Sequence, residues 1–169
     1  MLEGLIQWLT GLPPELATMV LAMIPVTELR ASIPVALTVY DLSVAAVVFW
    51  SIIGDIIPVF FIMALLGPIS SWLMKRSKFF NKIFTKIFER TRGKFTKKYE
   101  KYGLVALVFF VGIPLPGTGS WTGTLAAWLF DIPLRKAFPM IVLGVLVAAT
   151  LVTIISLGIL GSLDFLLGY

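Results

Sequence analysis

Residues 25–34, PVTELRASIP, and residues 113–123, IPLPGTGSWTG, interrupt two otherwise apolar stretches, and their reading decides the fold. The stretches run over residues 14–40 and 103–131. Pro25, Pro34, Pro114 and Pro116 lack an amide donor and disrupt a helical ladder, and Gly117 and Gly119 add backbone freedom. Each flanking arm is then only ~10–14 residues long, short of the ~20 a helix needs to cross hydrocarbon. Non-helical backbone at membrane depth persists only where protein covers it or water reaches it. Both stretches therefore read as re-entrant helical hairpins.

Two further stretches, 43–67 and 137–163, are unbroken and long enough to span. Hydrophobic residues make up 59% of the 169, and charged residues only 14%. Soluble domains carry roughly 25% charged residues, and a chain this short cannot bury so much apolar surface in water. A soluble domain is excluded and an all-α integral membrane protein expected. There is no cysteine and no histidine. That removes disulfides, thiolate chemistry, histidine-based catalysis and the usual zinc ligands. No nucleophile–base pair remains, so we expect no enzyme, no metal site and no cofactor.

Charge sets the topology. Eleven of the fourteen Lys/Arg fall in residues 75–101, which carry a net +9. Basic loops stay cytoplasmic, so 43–67 runs from outside to inside. If 103–131 turns back as a hairpin, Arg135 and Lys136 also lie inside, and thirteen of fourteen basic residues are cytoplasmic; the exception is Arg30. The N-terminus, Asp41 and Asp164 then lie outside. Within 75–101, Phe79, Phe80, Ile83, Phe84, Ile87 and Phe88 form an apolar face at helical spacing, with Lys78, Lys82, Lys86 and Arg90 on another side. This is a basic amphipathic helix suited to the cytoplasmic leaflet; nucleic acid is not an expected partner. Leu2, Leu5, Ile6, Leu9 and Leu12 predict a short interfacial helix over 2–12. The first 29 residues contain no Lys or Arg, so no signal peptide is expected there.

The order of elements repeats. Ile24-Pro25 aligns with Ile113-Pro114, Tyr40-Asp41 with Phe130-Asp131, and Gly54 with Gly144. The expectation is a single membrane domain over 1–169 made of two inverted repeats, 14–67 and 103–163, joined by the 75–101 linker. Each repeat is a hairpin plus a crossing helix. Inverted repeats place a site near the midplane where broken elements meet, so the two hairpin tips are expected to form one site. Two crossing helices are too few to enclose a pathway, which predicts a homodimer.

Three ionisable residues lie in the apolar stretches: Glu28, Arg30 and Asp55. Each costs at least ~2.5–3.5 kcal/mol at the centre of a membrane helix and so marks function by default. Arg30 stays protonated and demands an anion, which Glu28 or Asp55 can supply. Glu28 and Arg30 are two residues apart; on a regular helix they point ~200° apart, while on an extended strand they share a face. A carboxylate displaced from its cation at such depth takes up a proton or another cation such as sodium. In the second hairpin Thr118, Ser120 and Thr122 offer hydroxyls. A half-helix starting near Ser120 would aim its amides at an anion.

ELRASIP, GDIIP, the Phe-rich basic linker and GIPLPGTGSWTG…AAWLFDIPLRKAF together resemble the small multi-drug export protein family over about residues 16–160. That family is in turn similar to the DedA (VTT-domain) superfamily. The resemblance implies a bacterial or archaeal transporter of the cytoplasmic membrane. The DedA side implies a polyprenyl (undecaprenyl) phosphate substrate with ion coupling. The DedA pattern places an arginine in or near the second hairpin, where this chain has none. The expected function is translocation of an anionic amphiphile with membrane lipids as surroundings. Export of lipophilic cations is the alternative, and a non-transporting membrane scaffold a further one.

Overall fold

The computed structural model describes residues 11–40, 42–79, 81–83, 85, 97–115, 117–130 and 132–167, with the side chains of 97–101 and 163–167 left out. The expected interfacial helix over 2–12 lies almost wholly outside the described residues. So do most of the amphipathic linker, the break residue Pro116, and Asp41 and Asp131; Asp164 has no described side chain.

All regular structure among the described residues is helical. Helix α1 covers Pro14–Met23 and α2 covers Glu28–Val39. Pro14 opens α1 where a missing amide costs nothing. At 1.5 Å per residue these arms are about 15 and 18 Å long. They pack against one another across a turn at 24–27 that contains Pro25. Helix α3 runs over Val44–Arg76. Helix α4 is Lys97–Gly112 and α5 is Ser120–Leu129; they also pack together, across a break that holds Pro114 and Gly117. Helix α6 is Leu134–Leu167. Among the described residues, only α3 and α6 are long and apolar enough to cross a membrane.

Several boundaries differ from the sequence reading; α6, for one, runs beyond the expected 137–163 at both ends. Pro34 does not break the first hairpin but lies inside α2. The turn is complete by Thr27, and the ring costs α2 one amide donor without ending it. Pro58 and Pro68 are likewise carried within α3, which extends past the expected end of the span at 67 to take in Lys75 and Arg76. Lys97 to Lys101, expected in the linker, form the first turns of α4.

The chain divides into two compact units. The first comprises residues 1–57 and 145–169, the second residues 58–144. Each contains one hairpin, the N-terminal half of the long helix that follows it, and the C-terminal half of the other long helix. In the first unit, Gly54 brings α3 so close to α1 that an added Cβ would lie 2.1 Å from the Met19 carbonyl oxygen. In the second, a Cβ on Gly144 of α6 would meet Val111 of α4 at 2.7 Å and the Val108 oxygen at 3.0 Å. Gly54 and Gly144 thus do the same job: each seats a long helix on the first arm of the preceding helix pair.

Candidate functional site

Several polar residues of the first unit lie at the start of α2. The Thr27 hydroxyl donates to the Leu21 carbonyl at 2.6 Å and closes the end of α1. The Glu28 amide then donates to the Ile24 carbonyl at 2.9 Å. Glu28 has φ 46°, the one non-glycine residue among those described with positive φ. This left-handed conformation costs a residue with a Cβ roughly 1–2 kcal/mol. It also turns φ about 110° away from the helical value. The carboxylate is thereby carried to Arg30, whose Nη1 donates to Glu28 Oε2. The geometric objection to that pair applies to a regular helix, and Glu28, the first residue of α2, does not have regular helical geometry.

Four residues past Glu28, on the same face of α2, the Ser32 hydroxyl donates to Ser51 Oγ of α3 at 2.8 Å. Asp55 follows Ser51 by four residues and shares its face. Ser32 and Ser51 are fully buried, Asp55 is 1% exposed and Glu28 6%. The Arg30 side chain is half-buried. Two carboxylates, one guanidinium and two hydroxyls are therefore gathered within one unit, on two helices bridged by a hydrogen bond. The sequence reading missed Ser32 and Ser51. The available signal was their i, i+4 spacing from Glu28 and Asp55.

The second hairpin uses its polar groups locally. Gly117 has φ 80°, which favours glycine, and this is where the chain leaves α4 for α5. The Thr118 hydroxyl reaches the carbonyls of Ile113 and Leu115, both at 2.9 Å, and ties the break together. Gly119 is extended at the N-cap of α5, and its amide donates to Thr122 Oγ1 at 2.9 Å. Gly119 thus serves as a cap. Ser120 opens α5 and is fully buried. The second unit also holds an apolar cavity of about 450 Å³ whose walls include Tyr102, Phe110 and Phe130. Among the described residues, no group of three or more acidic side chains comes together to hold a metal ion.

A family model described as small multi-drug export protein matches residues 28–151. The chain belongs to this family. No curated protein and no solved structure matches it. The match begins at Glu28 and takes in the Glu28–Arg30 pair, Ser32, Ser51, Asp55 and the whole second hairpin. The family name, together with two helices long and apolar enough to cross, marks the chain as a membrane protein of the export class.

Proposed function

We propose that the protein exports amphipathic small molecules across a membrane, and that the Glu28–Arg30–Asp55 cluster is where a coupling cation and the substrate exchange. One observation carries this reading. The first unit buries two carboxylates, Asp55 at 1% and Glu28 at 6% exposure, and pairs Glu28 with a guanidinium that is 18% exposed; a charge such as that of Asp55 within a crossing helix costs at least ~2.5–3.5 kcal/mol. A purely structural contact would need only one ion pair. In this reading Asp55 carries a proton or sodium ion, and the Glu28–Arg30 pair parts when a charged substrate competes for either member. Two features support re-entrant hairpins within inverted repeats. The arms are too short to cross, and the tips are apolar: Val26 is 92% exposed, and Ile113 and Leu115 are about half exposed. Apolar tips exposed to this degree call for cover by protein, which a second copy of the chain would supply. A second copy of the chain would complete the pathway.

The test is efflux of a fluorescent lipophilic cation from vesicles containing purified protein, under an imposed proton or sodium gradient. Wild-type protein should respond to one gradient; Asp55→Asn should lose the response and remain folded. Gradient-driven efflux unchanged in Asp55→Asn and Glu28→Gln would refute the assignment.

A second reading, translocation of polyprenyl phosphate, is favoured by Arg30, because a guanidinium fork matches phosphate oxygens. It accords with the DedA-like order of the second half. Lipid-phosphate uptake that is abolished by Arg30→Gln and weakened by Arg30→Lys would select this reading. Wild-type uptake by Arg30→Gln would exclude it.

A further inference from the structure

A second cationic position lies on the other unit, at a groove that the exchange cluster does not use. This groove of about 430 Å³ is lined by Phe60, Met63 and Ala64 of α3 and by Leu134, Arg135 and Phe138 of α6. Its walls are aromatic or aliphatic except for Arg135, which is exposed at the start of α6. The level of the groove follows from α3. The Arg76 guanidinium stacks over the Trp72 ring, 5.5 Å from its centroid, a pairing typical of the membrane–water boundary. From Val44 to Trp72 the helix rises about 42 Å, close to the ~40–45 Å of a bilayer with its headgroups. Phe60, Met63 and Ala64 precede Trp72 by 12, 9 and 8 residues, or about 12–18 Å. The groove therefore opens below the headgroups of the leaflet on the Trp72 side. A guanidinium there draws an anion towards it, while the walls beneath it accept hydrocarbon.

We propose that this groove is a binding site for one anionic glycerophospholipid, its phosphate on Arg135 and an acyl chain against Phe60, Met63 and Phe138. The inference rests on α3 crossing the membrane and is independent of what the exchange cluster transports. The linker cations attract anionic lipid at the surface but cannot select a lipid at Met63, so the readout must be local. The chain has no cysteine, so Met63→Cys and, as a control, Ile154→Cys can each carry a single fluorophore. Ile154 is 62% exposed on the part of α6 that belongs to the other unit. Each labelled protein is placed in phosphatidylcholine vesicles in which a small fraction of the lipid is brominated phosphatidylglycerol or brominated phosphatidylcholine.

The expected result at Met63→Cys is a preference of about fivefold for the brominated phosphatidylglycerol, the ratio that one basic side chain contributes near anionic lipid. Ile154→Cys should show no preference, and Arg135→Gln should erase the one at Met63→Cys. Equal quenching by the two lipids at Met63→Cys, or a preference that survives Arg135→Gln, would overturn the proposal. Absence of quenching at both labelled positions would overturn it together with the membrane reading of α3.

Discussion

Substituting alanine for Gly54 adds one carbon where α3 lies against α1. That carbon would lie 2.1 Å from the backbone oxygen of Met19 and 2.9 Å from Ala22 Cβ. Carbon and oxygen touch at ~3.3–3.6 Å, so α3 and α1 must part by more than about 1 Å. A flexible side chain could swing aside; a carbonyl inside a helix cannot. Overpacking of this kind costs about 1–3 kcal/mol, partly offset by up to ~1 kcal/mol of better helix propensity. At roughly 2–4 °C per kcal/mol for a chain of this size, Gly54→Ala should lower the melting temperature in detergent by several degrees. Gly144→Ala should do less harm, because its nearest backbone oxygen, that of Val108, is 3.0 Å away and its nearest carbon, Val111 Cβ, 2.7 Å, against 2.1 Å at Gly54. Gly158→Ala meets nothing within 4 Å and should be neutral or stabilising. A Gly54→Ala protein that melts with the wild type would refute the close approach of α3 to α1. So would an order in which Gly158→Ala is the most damaging of the three.

Ser32→Ala and Ser51→Ala should each cost about 1–3 kcal/mol, since each strands a buried hydroxyl, while the double variant should cost less than the sum; strict additivity in thermal melts would mean that the 2.8 Å hydrogen bond contributes nothing. Pro34→Ala should be tolerated and raise the melting temperature slightly, because α2 already runs through that position and would regain an amide donor; a large drop would show that the ring positions the hairpin. Single cysteines replacing Ser77 and Asp131 should react with an impermeant thiol reagent only after the cytoplasmic face is opened, and one replacing Ser43 should react in intact cells. Outside labelling of Asp131→Cys would leave four full spans in place of hairpins.

The parts of this architecture written in local composition were legible in the sequence. Pro25 and Pro114 fall in the two breaks, and the unbroken apolar runs became α3 and α6. What failed was governed by backbone sign or by contact between elements. A proline ends a helix only if the surrounding residues can find other partners, so Pro34, expected as a break, lies within α2, just as Pro58 lies within α3 as expected. The pairing of Glu28 with Arg30 depends on a positive φ at an ordinary glutamate, which nothing in its residue type announces. Ser32 and Ser51 carry the i, i+4 spacing from Glu28 and Asp55, but that spacing does not reveal that the two serines meet. Nineteen residues separate them, and only the register of α2 on α3 brings the hydroxyls together. Gly54 and Gly144 were matched by alignment, but the reason for the match appeared only as contact distances.

The division of the long helices between units has a consequence for how the protein is made. The second unit is one continuous segment, 58–144, whereas the first is completed only by residues 145–169. A ribosome adds roughly 5–20 residues per second. Residues 1–57 therefore wait on the order of ten seconds before the last segment emerges. During that interval Ala148, Ala149, Val152 and Ser156, buried in the finished fold, do not yet exist. The nascent first hairpin, with Glu28, Arg30 and Asp55 already inserted, must be sheltered meanwhile by lipid or by the insertion machinery. A stop codon near residue 145 would leave Glu28, Arg30, Ser32, Ser51 and Asp55 translated and their own unit unfinished, giving a product for membrane proteases to clear.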